Sequence, residues 1–503
     1  MTLDDYFTKH GFNPNKEQKK AITHCNGPLF LVAGPGSGKT RVLLWRTFNL
    51  IVFHAVEPRD IFLSTFTEKA ARQLKDGLLT LLASVNGRYF DISEMYVGTV
   101  HSLCRRILTD RRFNPAGTPA PELMDKVEQY FHVYASKFWL AQSKTEQDVV
   151  NELKPAGWGQ SKRHSAAVGL ISLFNRLSEE CINPAVFKGN YPFLGGMYED
   201  YLHSLNKANK TDMSLLQQRA LDVLKKNTDK NAAFKYLLID EYQDTNTVQE
   251  HIFFNLAAKT KNLCVVGDDD QALFRFRGAT VENLVRFPDR CVQEWNIAPY
   301  RIDLNINYRS CPQIVEFYNQ FIITDTALQA YRVPDKTISA NRACDHTAVV
   351  VTASDNDLDR CEEIAVLVKT LLDSKKVADP NQIAFLYPSV KKPLAKSMID
   401  ALAKQGLPVY SPRSGLFLDC EEAKVIFGLM LQVLGRPDEY QGGGTFKKFN
   451  DWLDQCEYAA HEITSAEDDE AVNELKKLIA SRTNELNNLG NNQATNWNLL
   501  DLF

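Results

Sequence analysis

Short apolar runs alternate with longer amphipathic segments through the first 300 residues of the chain. PLFLVA (28–33) and YLLI (236–239) are apolar runs bounded by turn residues, which predicts buried strands of a parallel sheet. The segment that begins at Lys39, KTRVLLWRTFNLI, has apolar positions at helical spacing. Strands that alternate with helices predict an α/β fold with helices on both faces of the sheet.

The same patterns continue in the rest of the chain. Segments 127–142 and 165–180 have helical periodicity, which predicts a mainly helical insertion. TAVVVTA (347–353) and IAFLYPS (383–389) predict two strands, and residues 391–406 predict a helix between further apolar runs. We therefore expect a second α/β domain in the C-terminal part of the chain.

Composition narrows the picture only slightly. The chain has 503 residues and a formal net charge of -4, so any surface for nucleic acid must be local rather than global. Neither a signal peptide nor an apolar run long enough to span a bilayer is evident, which predicts a cytoplasmic protein with no membrane partner. Its ten cysteines lie far apart, without zinc or iron–sulfur spacing, and we expect reduced thiols.

The stretch LVAGPGSGKT (31–40) ends a predicted strand in a glycine-rich loop that opens a helix. Bare backbone N–H groups and the positive helix end suit a phosphate, and a lysine at the helix start can reach the terminal phosphates. The usual spacing of such loops has glycine where this chain has Ala33. The alternative is an incidental glycine-rich turn. The candidate phosphate-binding residues are Ala33, Gly34, Gly36, Ser37, Gly38, Lys39 and Thr40.

Two carboxylates follow the predicted strand 236–239, where open α/β sheets bind their ligands. Asp240, together with the Thr40 hydroxyl, is a candidate Mg²⁺ ligand, and Glu241 is a candidate for polarising the water that attacks a γ-phosphate. Alone, such a pair is more often a solvated strand end. Combined with the glycine loop, it makes hydrolysis of a nucleoside triphosphate, ATP with Mg²⁺, the leading hypothesis.

A third strand, within NLCVVGDDDQALFRFRGA (262–279), is followed by three aspartates, Gln271 and alternating phenylalanines and arginines. Rings that stack on bases and guanidinium groups that meet phosphates are what binding of single-stranded nucleic acid requires. A core pair of phenylalanines with surface arginines explains the same letters equally well.

Six segments in register give the chain a resemblance to the UvrD/Rep family of superfamily 1 DNA helicases. They are residues 31–40, 64–74 (STFTEKAARQL), 97–106 (VGTVHSLCRR), 236–245, 266–279 and 304–310 (LNINYRS). The resemblance covers roughly residues 12–430 and includes the loop variant with Ala33. It implies two RecA-like parallel-sheet motor domains with helical insertions, with ATP bound between the motor domains.

The resemblance also implies roles around the nucleotide. Gln18 is similar to the glutamine that contacts the adenine edge, and Arg41 and Tyr308 resemble the pair that sandwiches the base. Arg309 is similar to an arginine that reaches across a domain cleft to the γ-phosphate, and Gln271 resembles a γ-phosphate sensor. A structural role is the alternative for Tyr308.

Contacts to DNA follow from the resemblance in the same way. Phe66 and His101 resemble residues along the DNA path, while Phe274, Phe276 and Arg277 resemble the stacking platform and its phosphate contact. Family members more often have Tyr and Trp where this chain has the last two phenylalanines. A core position for Phe66 and a capping role for His101 are the alternatives.

The resemblance implies a domain organisation as well. We expect the first RecA-like domain over residues 1–110 and 215–295, a helical insertion over 111–214, a partial second RecA-like domain over 296–435 and the start of a second insertion over 436–503. The last two family motifs do not occur in the sequence. The chain is therefore expected to be a fragment of a longer helicase, with a natural short form as the alternative.

The implied function is an ATP-dependent 3′–5′ DNA helicase or translocase that acts on single-stranded DNA and single-strand/duplex junctions. One alternative is a DNA-stimulated ATPase that serves as a switch in a nuclease or phage-defence complex, with a nuclease or another protein as partner. A catalytically idle DNA-binding module is a further alternative. The idle module is disfavoured because the chain keeps all five residues that the chemistry needs, which are Lys39, Thr40, Asp240, Glu241 and Arg309.

Overall fold

The computed structural model describes most of the chain. The described residues are 1–114, 117, 119–135, 146–153, 162–227, 233–272, 280–324, 329, 331–344, 347–352, 356–390, 393–410, 417–436, 447–465 and 469–488. They form two compact units, residues 1–350 and 351–503.

The first unit contains all the strands of the described residues. They are β1 (Leu29–Ala33), β2 (Ile61–Thr65), β3 (Tyr96–Thr99), β4 (Glu122–Leu123), β5 (Lys210–Thr211), β6 (Tyr236–Ile239), β7 (Leu263–Gly267), β8 (Tyr300–Leu304), β9 (Ile306–Asn307) and β10 (Ser339–Ala340). The predicted strands 28–33 and 236–239 are confirmed to within one residue.

Six of these strands form one parallel sheet in the order β3-β2-β6-β7-β1-β8. The order is not sequential, so the connections cross over the sheet through helices, as parallel pairing requires. This is the mixed α/β architecture of a RecA-like motor domain. Strand β8 pairs with β1 from Leu29↔Tyr300 to Ala33↔Leu304, so the sheet continues past residue 295, where we expected the first domain to end.

Both faces of the sheet are buried, because side chains of a strand alternate between its two faces. In β1, Phe30 and Val32 belong to one hydrophobic core, whereas Leu29, Leu31 and Ala33 belong to the other. Because the central strands are parallel, their carboxyl ends lie at one edge of the sheet.

Helices occur in both units. They are α1 (Leu3–Lys9), α2 (Lys16–Thr23), α3 (Lys39–Val52), α4 (Glu68–Ala83), α5 (Val100–Thr109), α6 (Lys126–Tyr134), α7 (Glu146–Leu153), α8 (Lys162–Glu179), α9 (Pro184–Asn190), α10 (Pro192–Ala208), α11 (Met213–Lys226), α12 (Thr247–Ala257), α13 (Glu282–Val285), α14 (Phe287–Trp295), α15 (Pro312–Thr324), α16 (Asp357–Asp373), α17 (Pro393–Lys404), α18 (Glu421–Leu434), α19 (Lys447–Thr464) and α20 (Glu470–Asn488). Among the described helices, none is both long and apolar enough to cross a bilayer.

Helices α6 to α10 form an insertion with a core of its own. Its buried residues include Val133, Leu170, Phe174 and Met197. Strands β4 and β5 pair in parallel, Glu122↔Lys210 and Leu123↔Thr211, and so join the two ends of the insertion. The helices predicted over 127–142 and 165–180 are present as α6 and α8, although residues 136–145 lie outside the described part.

Helices are the regular elements found in the described residues of the second unit, and the strands predicted at 347–353 and 383–389 are not found in the described part of the chain. The alternation that predicted the second strand is nevertheless real. Ile383, Phe385 and Tyr387 pack against a helical core that includes Cys361 and Met398, whereas Leu386 is 92% exposed. A strand also needs a hydrogen-bonded neighbour, and no described segment supplies one here.

A disulfide joins Cys311 and Cys344, contrary to the expectation that all the thiols are reduced. The parallel pairing of β9 with β10 brings the segments that carry these cysteines together, with 5.7 Å between their Cα atoms. Spacing along the sequence could not indicate this contact, because 33 residues separate the two positions.

Candidate active site

The loop between β1 and α3 has a backbone that favours glycine. Gly36 and Gly38 have φ angles of 67° and 83°, in the left-handed region, and Gly38 is the N-cap of α3. A Cβ atom on Gly34 would lie 2.2 Å from the side chain of Ile338, which would have to move to accommodate it. These glycines bring backbone N–H groups to the positive end of a 14-residue helix, the arrangement that binds phosphates.

Asp240 and Glu241 follow β6 and lie beside this loop. Lys39 Nζ is 3.0 Å from Glu241 Oε2, and Thr40 Oγ1 is 3.5 Å from Asp240 Oδ2. Glu241 has a φ of 52°, a left-handed conformation that is uncommon outside glycine and that clusters at functional sites. The structure therefore brings together two pairs of adjacent residues whose members are 200 and 202 positions apart in the sequence.

Burial and the neighbouring Glu241 charge raise the pKa of Asp240 to about 7, although the Lys39 ammonium opposes them. Burial and the Glu241 charge also raise the pKa of Asp244 to about 7. A buried carboxyl with a raised pKa lacks a full counter-charge, which a divalent cation can provide.

Gln18 closes the loop from the side of α2. Its amide donates to the Ser37 carbonyl at 3.0 Å, and it forms a capping box with Asn15 in which each backbone N–H donates to the side-chain oxygen of the other residue. Asn15 in turn donates to the Tyr308 hydroxyl at 2.9 Å. Gln18 and Tyr308, two of the residues expected to contact the base, thus lie at the same side of the loop.

Arg41 points toward the N-terminal segment. Its guanidinium carbon is 4.4 Å from the centre of the Phe12 ring, a cation–π contact. The sandwich of a base between Arg41 and Tyr308 stays a prediction, and the stacking partner of Arg41 in this structure is Phe12.

Arg309 lies in the same compact unit as the loop, which corrects the expectation that it reaches across a cleft between domains. The backbone N–H of Tyr308 donates to the Gly36 carbonyl at 3.0 Å, and a Cβ atom on Gly36 would lie 2.8 Å from Arg309 Cβ. The physical reason is strand β8, which pairs with β1 and delivers residues 305–310 directly to the loop. The contact of Arg309 with the γ-phosphate stays a prediction.

Gln271 is close to the end of β7, and its amide contacts Asp268 Oδ2 at 2.5 Å. Phe274, Phe276 and Arg277 lie outside the described residues. The predicted stacking platform therefore stays a prediction.

The three carboxylates of Asp268, Asp269 and Asp270 lie close enough together to hold a metal ion. The Lys336 ammonium already occupies the centre of this cluster, at 2.5, 2.7 and 2.9 Å from the three carboxylates, and Arg332 pairs with Asp270. These cations supply the charge that a metal would, so the cluster is an internal ion network and the Mg²⁺ candidates remain Thr40 and Asp240.

Phe66 and His101 line a cavity of about 330 Å³ that also contacts Asp240 and Glu241. Phe66 is 37% exposed, so it is not a core residue. His101 Nε2 is 3.2 Å from Gln217 Nε2, and burial lowers the pKa of its imidazole, which favours the neutral ring. Both side chains therefore share a cavity with the two carboxylates, and their contact with DNA stays a prediction.

Sequence reasoning missed Phe12, Asn15, Gln243 and Lys336. The capping pattern Asn-x-x-Gln at 15–18 was an available signal for Asn15. Lys336 had no such signal, because 68 residues separate it from Asp268.

Comparison with known proteins gives one family match. The profile of the UvrD/REP helicase N-terminal domain matches residues 14–291, more than half of the chain.

Individual relatives agree with this match. A probable DNA helicase II homologue of Rickettsia conorii is 31% identical over 288 residues, 55% of this chain and 40% of the relative. The ATP-dependent DNA helicase PcrA of Bacillus subtilis is 29% identical over 442 residues, 85% of this chain and 54% of the relative. PcrA of Staphylococcus aureus is 30% identical over 320 residues, 61% of this chain and 40% of the relative. The chain thus spans about half the length of the relatives it matches.

Proposed function

The chain belongs to the UvrD/REP helicase family, and from this membership we propose that it acts as an ATP-dependent DNA helicase that moves 3′–5′ on single-stranded DNA. One observation supports the proposal above all others. Lys39 and Thr40, which open α3, contact Glu241 and Asp240, which end β6, so a phosphate-binding loop and two carboxylates share one site. A protein that only binds DNA would not require the phosphate-binding loop and the two carboxylates to lie in contact.

The site fits ATP and Mg²⁺. The Ser37 hydroxyl is buried and has no hydrogen-bond partner among the described residues, which suits a phosphate oxygen at the loop. The Thr40 hydroxyl and the Asp240 carboxylate are hard oxygen ligands of the kind that Mg²⁺ prefers. Bound Mg²⁺ would neutralise the negative charge that develops on the phosphates.

Within this proposal the residues divide the work of hydrolysis. Lys39 binds the terminal phosphates, while Glu241 orients and polarises the attacking water. Arg309, which is exposed and makes no ion pair in the described part of the chain, stabilises charge on the γ-phosphate. Gln271 senses the γ-phosphate, and Gln18, Arg41 and Tyr308 hold the base.

Phe66 and His101 would place the DNA strand beside the carboxylates, since they share a cavity with Asp240 and Glu241. ATP hydrolysis beside Asp240 and Glu241 would then alter the contacts of Phe66 and His101 with DNA. Separating a duplex must overcome stacking of ~1.4 kcal/mol per base-pair step, so net unwinding requires coupling to ATP. ATP and DNA must both reach the protein, and we propose the cytoplasm as its location.

Two assays on the full-length protein test the proposal. We expect ATP hydrolysis that single-stranded DNA stimulates, and displacement of one strand from a duplex with a 3′ single-stranded tail. Hydrolysis without displacement would instead support the DNA-stimulated ATPase of a nuclease or defence complex. An absence of DNA-stimulated hydrolysis would contradict both.

Binding of DNA gives an independent test. Because backbone phosphates should dominate the grip, affinity for single strands should fall steeply with salt and change little with base sequence. Fluorescence anisotropy with labelled oligonucleotides measures both. An affinity that does not respond to salt would contradict the proposed DNA path.

A further inference from the structure

Lys336 is a buried charge from outside the segments that resemble the helicase motifs. Its side chain is 2% exposed, and those of its partners Asp268, Asp269 and Asp270 are 0–1% exposed. Burial alone would favour the neutral amine, but the three carboxylates outweigh it and raise the pKa of Lys336. The ammonium therefore stays charged and is the common partner of all three carboxylates.

The segment around Lys336 contacts the same aspartates at further points. Arg332 donates to both oxygens of Asp270, at 2.7 and 3.0 Å, and Tyr318 donates to Asp270 as well. The backbone N–H of Val333 donates to Asp269 Oδ2 at 2.8 Å. Tyr318, Arg332, Val333 and Lys336 together thus contact each of the three carboxylates that follow β7.

Asp268 connects this network to the proposed catalytic residues. Its Oδ2 atom contacts the amide of Gln271, while Lys336 contacts Oδ1. Its backbone N–H donates to Gln243 Oε1 at 3.0 Å, and Gln243 Nε2 donates to Glu241 Oε2 at 2.8 Å. Gln243 is 1% exposed, so no water competes freely for this amide.

We propose that Lys336 is a positioning residue for ATP hydrolysis, which fixes Asp268 and through it both Gln271 and, by way of Gln243, Glu241. This role rests on the proposed function, because it assigns work to residues of the same site. A lysine that only balanced charge would need no particular carboxylate. Here one of the three carboxylates that Lys336 contacts, Asp268, also contacts Gln271, and the backbone of the same residue donates to Gln243.

A double-substitution cycle tests the connection. Lys336→Met and Gln243→Met remove the two ends of the path with little change in side-chain volume. We expect each to lower kcat for DNA-stimulated ATP hydrolysis by ~10- to 100-fold while KM for ATP changes by less than ~3-fold, because positioning acts on the transition state. Since both substitutions act through one path, the kcat of the double variant should lie within ~3-fold of the kcat of the less active single variant.

Lys235→Met is the matched control. Lys235 pairs with Asp60 at 2.7 Å but is 58% exposed and lies at the opposite end of β6 from Glu241. We expect Lys235→Met alone to keep the wild-type kcat, and Lys235→Met combined with Gln243→Met to keep the kcat of Gln243→Met alone. Thermal unfolding and the affinity for a fluorescent ATP analogue verify that each variant keeps its fold and its loop.

Losses that multiply in the double variant would overturn the connection, as would a wild-type kcat for Lys336→Met. If Lys336→Met does not fold, the pair Lys336→Met and Asp268→Asn removes one positive and one negative charge together. We expect this pair to fold with kcat lowered at least ~10-fold, and a wild-type kcat would overturn the proposal. By contrast, an unsubstituted protein that shows no DNA-stimulated hydrolysis overturns the proposed function itself.

Discussion

Lys39 and Lys336 both meet carboxylates at the same edge of the six-stranded sheet, but their surroundings differ. Lys39 contacts the single carboxylate of Glu241, and the two side chains are 10% and 30% exposed. Lys336 contacts three carboxylates and is 2% exposed. A pair with one partner near solvent can exchange that partner for a ligand at low cost, whereas a buried network cannot. Lys39 can therefore exchange Glu241 for a ligand, whereas Lys336 stays with its three carboxylates.

The largest effect should be the loss of stability in Lys336→Met. Three carboxylates would remain buried, and Arg332 pairs with Asp270 among them, so we expect the free energy of unfolding to fall by ~3–5 kcal/mol. Lys235→Met should cost less than ~1 kcal/mol, because its ion pair is exposed. Chemical denaturation of both variants measures the difference, and equal losses would remove the distinction between held and exposed lysines.

Lys39→Ala should have the next largest effect, on activity. We expect DNA-stimulated ATP hydrolysis to fall by ~100-fold or more, since a charge that stabilises the transition state is lost. Affinity for single-stranded DNA without ATP should not change, and a filter-binding assay supplies that control. Hydrolysis that survives unchanged would contradict the assignment of the phosphate-binding loop.

The pH dependence of Mg²⁺ binding should be smaller. Burial and Glu241 raise the pKa of Asp240 to about 7, so below that pH the carboxyl carries a proton that the metal must displace. We expect affinity for Mg²⁺ to fall by up to ~10-fold for each pH unit below 7 and to level off above it.

Asp244→Asn is the control for this measurement, because the pKa of Asp244 is also raised to about 7. The pH dependence should persist in Asp244→Asn and disappear in Asp240→Asn, as measured by Mg²⁺ or Mn²⁺ titration. Persistence in Asp240→Asn would show that another group controls metal binding.

Arg41→Ala should have the smallest effect. Its guanidinium stacks over Phe12 and is proposed to hold the base, a contact worth about 1 kcal/mol. We expect KM for ATP to rise by ~3- to 10-fold with little change in kcat, in contrast to Lys39→Ala. Arg59→Ala, at an exposed position away from the loop, should change neither constant.

The sequence predicted the loop and its carboxylates because their signals are local. An apolar run that ends in glycines and a lysine determines strand, turn and helix within 25 residues, and parallel strands bring their carboxyl ends to one edge. The location of Arg309 was wrong because the pairing of β8 with β1 is a long-range contact. The strand expected at 383–389 shows the same limit, since alternation specifies a face but not a neighbour.

The role of Lys336 could not be predicted from the sequence. A single lysine in YRVPDKTIS resembles any surface lysine, and lysine is almost never fully buried unless it is paired. Only the folded chain shows that this charge lies among the three aspartates that follow β7.

A crystal structure of the full-length protein with Mg²⁺ and a non-hydrolysable ATP analogue tests whether Lys39 exchanges its carboxylate for a ligand while Lys336 does not. We expect Lys39 Nζ on a phosphate oxygen and no longer on Glu241, the metal at Thr40 and Asp240, and Lys336 still in contact with Asp268. A nucleotide bound elsewhere, or Lys39 still paired with Glu241 beside a bound nucleotide, would contradict it.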